Sequence, residues 1–200
     1  MSTTSALENG LVVDFSPLAT KVSDGEFAEL CQLNPELHFE RTSEGELVIM
    51  APTGGRTGRR NAKLTVAFGV WAEQDGTGQV FDSSTLFTLP NTAKRSPDVA
   101  WVRNERWNAL SPKEQDEFPP LCPDFVVELR SRTDSLKSQK EKMAEYISNG
   151  AELGWLLDPS ERRVHVYRAG AAPEVLEDPQ EVSGEPLLKG FVLDVQALWD

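Results

Sequence analysis

Two hundred residues, 39% hydrophobic and 26% charged, point to one globular domain with enough chain for a substantial core. No run of about 18 apolar residues occurs, which excludes a membrane-spanning helix from the sequence. A net charge of −12, from 32 acidic residues against 20 basic ones, excludes tight non-specific binding to a phosphate backbone unless basic residues gather on one face.

Residues 1–22 lack the basic and apolar regions of a secretory signal and read as a loose arm before a single domain over 23–200. Cys31 and Cys122 have neither metal-like nor redox spacing, so free thiols in a reducing cytoplasm are expected. Ser23 and Glu26 have capping-box spacing, and Phe27, Leu30 and Cys31 follow at helical intervals, giving a helix over roughly 24–33. The segment LHFERTSEGELVIMAPT reads as two strands joined around Glu44-Gly45. A Gly-rich corner, PTGGRTG, leads into a helix on which Leu64, Phe68 and Trp71 recur, ending near Asp75-Gly76. The corner lacks the Gly-Lys-Ser/Thr of a phosphate-binding P-loop, leaving Arg56, Arg59 and Arg60 as its candidate phosphate contacts.

Short strands follow at QVFD, TLFTL and SPDVAWV, then one or two short helices within 104–120. PDFVVELRS is a continuous apolar run of the kind buried on both faces. Asp134 can cap a helix that presents Leu136, Lys140, Met143 and Ile147 on one face and ends at Asn149-Gly150. ELGWLLDP, RRVHVYR and GFVLDV supply further strands before a short tail, QALWD. Hairpin-like pairs among helices predict an α/β or α+β fold with a mixed sheet. Trp101, Trp155 and Trp199 are expected in packing, Asp124 in a turn, and His38 and His165 as ordinary strand residues.

Two apolar strands each carry one carboxylate, Asp98 in SPDVAWV and Glu128 in PDFVVELRS. A buried carboxylate is costly unless a cation or metal compensates it. Arg130 follows Glu128 by two residues, on the same strand face, and Lys142 lies on the next helix with Tyr146 one turn on. Hard cations such as magnesium take one or two carboxylates with waters and substrate oxygens, and the Leu129 carbonyl offers a further oxygen. Two acids with nearby cations are the raw material for phosphodiester hydrolysis, which needs a polarised phosphate, an activated water and positive charge.

The blocks GELVIM, SPDVAWV, PDFVVELRS, KMAEYISNGAELGWLLDP and VHVYR, in this order over about residues 25–198, resemble the Uma-type family of putative restriction endonucleases. That family belongs to the PD-(D/E)XK nuclease-like superfamily. The resemblance implies a restriction-endonuclease-like mixed sheet flanked by helices, a Mg2+ or Mn2+ site, DNA as substrate, and a homodimer. It maps Asp98 and Glu128 to the two motif acids and both to the metal. The superfamily lysine is Arg130 here, and Lys142 matches the helix position that replaces it in relatives. A family glutamate of the first hairpin maps to Glu46 as a third metal ligand, with Glu40 competing. Because this superfamily covers unlike functions, a catalytically inactive nuclease-fold dimer serving as an interaction or regulatory module stands as the alternative to an endonuclease. A nuclease for small or unusual nucleic acids is a third option.

Overall fold

The computed structural model describes residues 21–199. Most of the expected arm, residues 1–20, lies outside the described residues, as does Asp200. The chain is already packed at Val22, which is buried and donates its backbone N–H to the Gly45 carbonyl at 2.7 Å. Helix α1 (Asp24–Leu33) starts at the expected capping box, with Ser23 and Glu26 satisfying each other's backbone N–H. Strands β1 (His38–Arg41) and β2 (Leu47–Met50) pair antiparallel across a turn in which Gly45 adopts a positive φ of 88°. Helix α2 (Gly55–Asp75) begins inside the Gly-rich corner, one turn earlier than the apolar spacing predicted, and stops at Gly76 in the left-handed region.

The main sheet has six strands in the order β10-β9-β8-β7-β6-β3. These are β3 (Gly78–Asp82), β6 (Val99–Arg103), β7 (Phe125–Leu129), β8 (Leu153–Asp158), β9 (Arg163–Arg168) and β10 (Glu174–Glu177). Only the β7–β8 pair is parallel, because helix α5 (Leu136–Ser148) carries the crossover between them; the other neighbours are antiparallel. A smaller antiparallel sheet joins β2, β1, β5 (Lys94–Arg95) and β4 (Phe87–Thr88) in that order. Two short helices, α3 (Asn104–Asn108) and α4 (Pro112–Asp116), bridge β6 to β7. A third pair, β11 (Glu181–Ser183) with β12 (Val192–Asp194), and helix α6 (Gln196–Trp199) complete the described chain. Strands β5, β10 and β11 are not predicted by the sequence pattern: β5 has two residues, β10 is largely exposed, and β11 sends only Val182 into the core. Gln196–Trp199 of the predicted tail instead forms α6, because Leu198 and Trp199 have a core to enter.

Strand alternation divides the core. Val99 and Trp101 of β6, Phe125, Val127 and Leu129 of β7, and Trp155 of β8 point toward α2, where Leu64, Phe68 and Ala72 meet them. Each large side chain so buried contributes roughly 1.5–3 kcal/mol. Trp101, Trp155 and Trp199 all lie in this layer, as predicted. The alternate residues, Ala100, Val102, Val126 and Leu156, face α5 through Met143 and Tyr146. Gly154 permits that close approach: a Cβ there would lie 2.5 Å from Met143 Cε and 3.2 Å from Val126 Cγ2. The α5 face differs from the predicted one in two respects. Its N-cap is Ser135, while Asp134 instead accepts the Ser131 N–H at 2.7 Å. Lys140 is exposed, and the inward stripe runs through Lys142, Met143 and Tyr146.

Candidate active site

The register Val99↔Val127 between β6 and β7, continued one step, sets Asp98 opposite Glu128 at the end of the antiparallel ladder. Glu128 shares a strand face with Val126, so its carboxylate points into the layer beneath α5 and is buried. There the Lys142 ammonium meets Glu128 Oε1 at 2.8 Å, and the Tyr146 hydroxyl donates to the same oxygen at 3.0 Å. Asp98 accepts the Leu129 backbone N–H at 2.7 Å through one oxygen and the Asn61 side-chain amide at 2.8 Å through the other. Three elements far apart in sequence thus converge: the start of β6, the end of β7 and the middle of α5.

The small sheet adds a fourth. Glu40 lies on β1, on the face opposite Phe39 and Arg41, and is buried. Its Oε1 takes Lys142 at 2.8 Å and the Ser96 N–H at 2.9 Å, while its other oxygen takes Arg95 at 3.2 Å. Arg95 also donates to Glu145 of α5 at 2.6 Å, and Glu145 receives the Asn91 amide at 2.9 Å. Residues 94–98 run from β5 directly into β6, which is why one short segment brings Arg95, Ser96 and Asp98 to the same place.

The site therefore gathers four carboxylates (Glu40, Asp98, Glu128 and Glu145) around two cations, Lys142 and Arg95. Burial is the largest single influence on the protonation behaviour, and the neighbouring charges modify it. Burial pushes Glu128 up to about 7, with Asp98 and Glu40 adding to the rise and Lys142 opposing it. Burial likewise raises Asp98, against the Leu129 and Asn61 hydrogen bonds and the Lys142 charge. Burial also acts on Glu40, but Lys142, Arg95 and the Ser96 N–H outweigh it and hold Glu40 below the usual carboxylate range. For Lys142, burial would depress the ammonium, yet Glu128 and Glu40 on either side keep it above an ordinary lysine. Lys142 is accordingly a fixed positive charge at neutral pH and not a proton acceptor.

Of the residues predicted from sequence, Asp98, Glu128 and Lys142 are brought together. Arg130 and Glu46 are not. Continuing the β7–β8 register from Glu128↔Leu156 sets Asp158 beside Arg130, and their side chains meet at 2.7 Å while Arg130 Nε donates to the Asp134 carbonyl at 3.1 Å. The guanidinium thus braces the loop after β7 instead of meeting Glu128. Glu46 is exposed in the β1–β2 turn, with its backbone N–H on Thr42 Oγ1 at 3.1 Å. The hairpin acid in the site is Glu40. Asp124 fixes local structure as predicted, accepting the Arg103 backbone N–H at 2.9 Å and pairing with Arg106 at 3.0 Å. Asn61, Arg95 and Glu145 were not foreseen. Asn61 had a signal: it sits three residues before Leu64, on the buried stripe of α2.

Among the described residues, no three His, Cys, Asp or Glu side chains are grouped so as to hold an ion by themselves. A two-carboxylate site suits magnesium, which keeps several waters, better than a metal that demands a full protein cage. Burial is what raises the Asp98 and Glu128 carboxyls, and a divalent cation beside them would favour their ionised forms. On this ground the donor set fits a hard cation.

A mixed sheet flanked by helices, with acids at the ends of adjoining central strands, places the chain in the restriction-endonuclease-like class of α+β folds. The family model described as Uma2, putative restriction endonuclease, matches residues 24–196, and the chain belongs to that family. A solved structure of a putative nuclease belonging to DUF820 from Anabaena variabilis ATCC 29413 superposes with a TM-score of 0.75 at 20% identity, covering 88% of this chain and 96% of that one. At that identity the likeness is one of fold. No match was found among curated proteins. No helix of the described residues is long and apolar enough to cross a membrane.

Proposed function

We propose that this chain is a metal-dependent endonuclease that hydrolyses phosphodiester bonds of DNA, working as a homodimer in the cytoplasm. The observation that carries the reading is the convergence of Asp98, Glu128 and Lys142 in one buried cluster in which acids outnumber cations. A polyanionic substrate would be repelled by that excess unless a cation were present. Asp98 and Glu128 would hold Mg2+ or Mn2+. When bound, such an ion supplies Lewis acidity toward a phosphoryl oxygen and strengthens water as a nucleophile.

The protein's own residues do the rest. Lys142, held as an ammonium, offers its charge to the phosphate and orients water by hydrogen bonding. Glu40, ionised and anchored by Arg95 and the Ser96 N–H, fixes the direction of the Lys142 side chain. Tyr146 holds one Glu128 oxygen, and Asn61 with the Leu129 N–H holds Asp98, so neither carboxylate is free to rotate. Arg130, tied to Asp158, keeps the end of β7 in place.

The test is plasmid nicking by the full chain in magnesium or manganese, with Asp98→Asn and Glu128→Gln as variants. Loss of nicking by at least about 100-fold with an unchanged circular-dichroism spectrum is expected. Equal trace activity in wild type and variants refutes the reading. A second reading, a catalytically inactive interaction module, is favoured by one observation: Lys142 is already engaged by both Glu40 and Glu128. It predicts no calorimetric metal binding that Asp98→Asn removes.

A further inference from the structure

Strands β1 and β2 present two different faces. Phe39 and Arg41, with their partners Ile49 and Leu47, lie on the α1 side, where Phe39 is buried and Leu47 packs against the small core of Val22, Phe27 and Leu86. The alternate residues share the face of Glu40. Val48 stands directly opposite it, His38 lies two residues earlier on the same strand, and Met50 stands opposite His38. At Glu40 this face meets the Lys142 ammonium at 2.8 Å and so belongs to the candidate site.

Beyond Glu40 the face is open. Met50 is 44% exposed and His38 is exposed, while Val48 is half-buried yet joins none of the three apolar cores of the described residues. Strand β5 pairs with β1 only at Arg41↔Lys94, so the His38 end of the hairpin runs on past β5. A hairpin packed on one side ordinarily turns polar residues to the other. Here the second face carries a valine, a methionine and an imidazole, with Glu40 as its one charged residue. Such a surface offers little to a phosphate. It suits a ring: imidazole stacks on a base, and the thioether and branched side chains give it dispersion contact. Strand geometry keeps Val48, His38 and Met50 within about 8 Å of Glu40, and hence beside the group that Lys142 would engage.

We propose that His38, Val48 and Met50 form a platform for the sugar and base of the nucleotide next to the scissile phosphate. The platform rests on the nuclease reading and adds to it the residues that grip the substrate beyond the acids and Lys142. Because stacking and dispersion act on any base, it contributes affinity and not a strict sequence preference.

Labelled DNA duplexes, cleaved by the full chain in manganese and bound to it in fluorescence anisotropy, test the platform. Once the cleaved phosphate is mapped, the base on either side of it is removed in turn to leave an abasic nucleotide. His38→Ala and Met50→Ala, both at exposed positions, are expected to keep the wild-type urea midpoint and to raise KM at least about fivefold while kcat changes less than about threefold. In wild type one of the abasic substitutions should raise KM by a similar factor. In the double variant the same substitution should have no further effect. A merely structural role for these side chains leaves the two losses additive. Additivity, or an unchanged KM in the double variant, overturns the platform, while cleavage by wild type leaves the nuclease reading standing. If wild type binds the duplex without cleaving it, the nuclease reading falls and the abasic comparison on the dissociation constant decides the platform in the same way. A wild type that does neither overturns both. A wild-type dimer that Met50→Asp splits in sedimentation assigns this face to a second copy and overturns the platform as well.

Discussion

Replacing Lys142 with Met removes the cation between two buried acids while conserving most of the side-chain volume. Glu40 keeps Arg95 and the Ser96 N–H, but Glu128 keeps only the Tyr146 hydroxyl. Glu128 already stands at about 7 with the ammonium 2.8 Å away, against an ordinary value of 4.5. Without Lys142 it should hold its proton to well above pH 7. A carboxyl with a raised folded-state pKa binds a proton in the folded chain that the unfolded chain has lost, so stability falls as pH rises through that window. In wild type the fall ends once Glu128 ionises near 7. In Lys142→Met it continues at about 1.4 kcal/mol per pH unit. Between pH 6.5 and 8.5 the gap between the two proteins should therefore widen by about 2 kcal/mol, or about 1 M in urea midpoint at a slope of ~2 kcal/mol per M. Urea titrations in chelator at several pH values measure it. Adding Glu128→Gln to the variant should abolish the widening. Parallel pH curves for wild type and Lys142→Met would refute the coupling of these two side chains.

Two further outcomes test parts of the fold that the chemistry depends on. His165 is buried on β9 with Nε2 unpartnered, and burial, then Lys140, hold its pKa below the ordinary value while Asp158 opposes them. Its unfolded form takes up a proton first as pH falls below about 6.5, so it subtracts stability on the acid side. His165→Leu should remove that loss, seen as a urea midpoint that gains on wild type as pH is lowered from 7.5 to 5.5. Arg130→Met leaves the fully buried Asp158 with only the Ser160 and Glu161 backbone N–H groups, at 3.1 and 3.4 Å, and should cost about 3 kcal/mol of unfolding free energy. Its nicking rate per folded molecule should stay within about threefold of wild type; a loss as large as that of Glu128→Gln would show that Arg130 takes part in the chemistry.

Much of the site was legible from local chemistry. A carboxylate in an apolar strand, as at Asp98 and Glu128, needs compensation wherever the strand packs, so those two positions stand out without coordinates. Lys142 was harder: three lysines lie within six residues on α5, and spacing alone favoured a solvated face. The family blocks singled it out, and its burial follows from α5 turning Lys142, Met143 and Tyr146 inward together. Glu40 and Glu46 lie in the same hairpin, and only the turn geometry separates a buried strand position from an exposed turn position. Arg130 looked equivalent to a strand lysine because alternation puts it on the Glu128 face. What alternation cannot show is the neighbouring strand, and the parallel register with β8 supplies Asp158 at 2.7 Å.

The sequence by itself determined the mixed α/β content, the capping box of α1, the two strand acids and the family, because these depend on local pattern, burial cost and the order of blocks. Tertiary structure alone decided which charges meet. Strand order and register place Asp98 against Glu128, the short link from β5 to β6 delivers Arg95 and Ser96 to Glu40, and the packing of α5 over Gly154 inserts Lys142 between two acids 102 and 14 residues away in the chain. Electrostatic interaction depends on separation in space and on desolvation, and neither is encoded by spacing along the sequence.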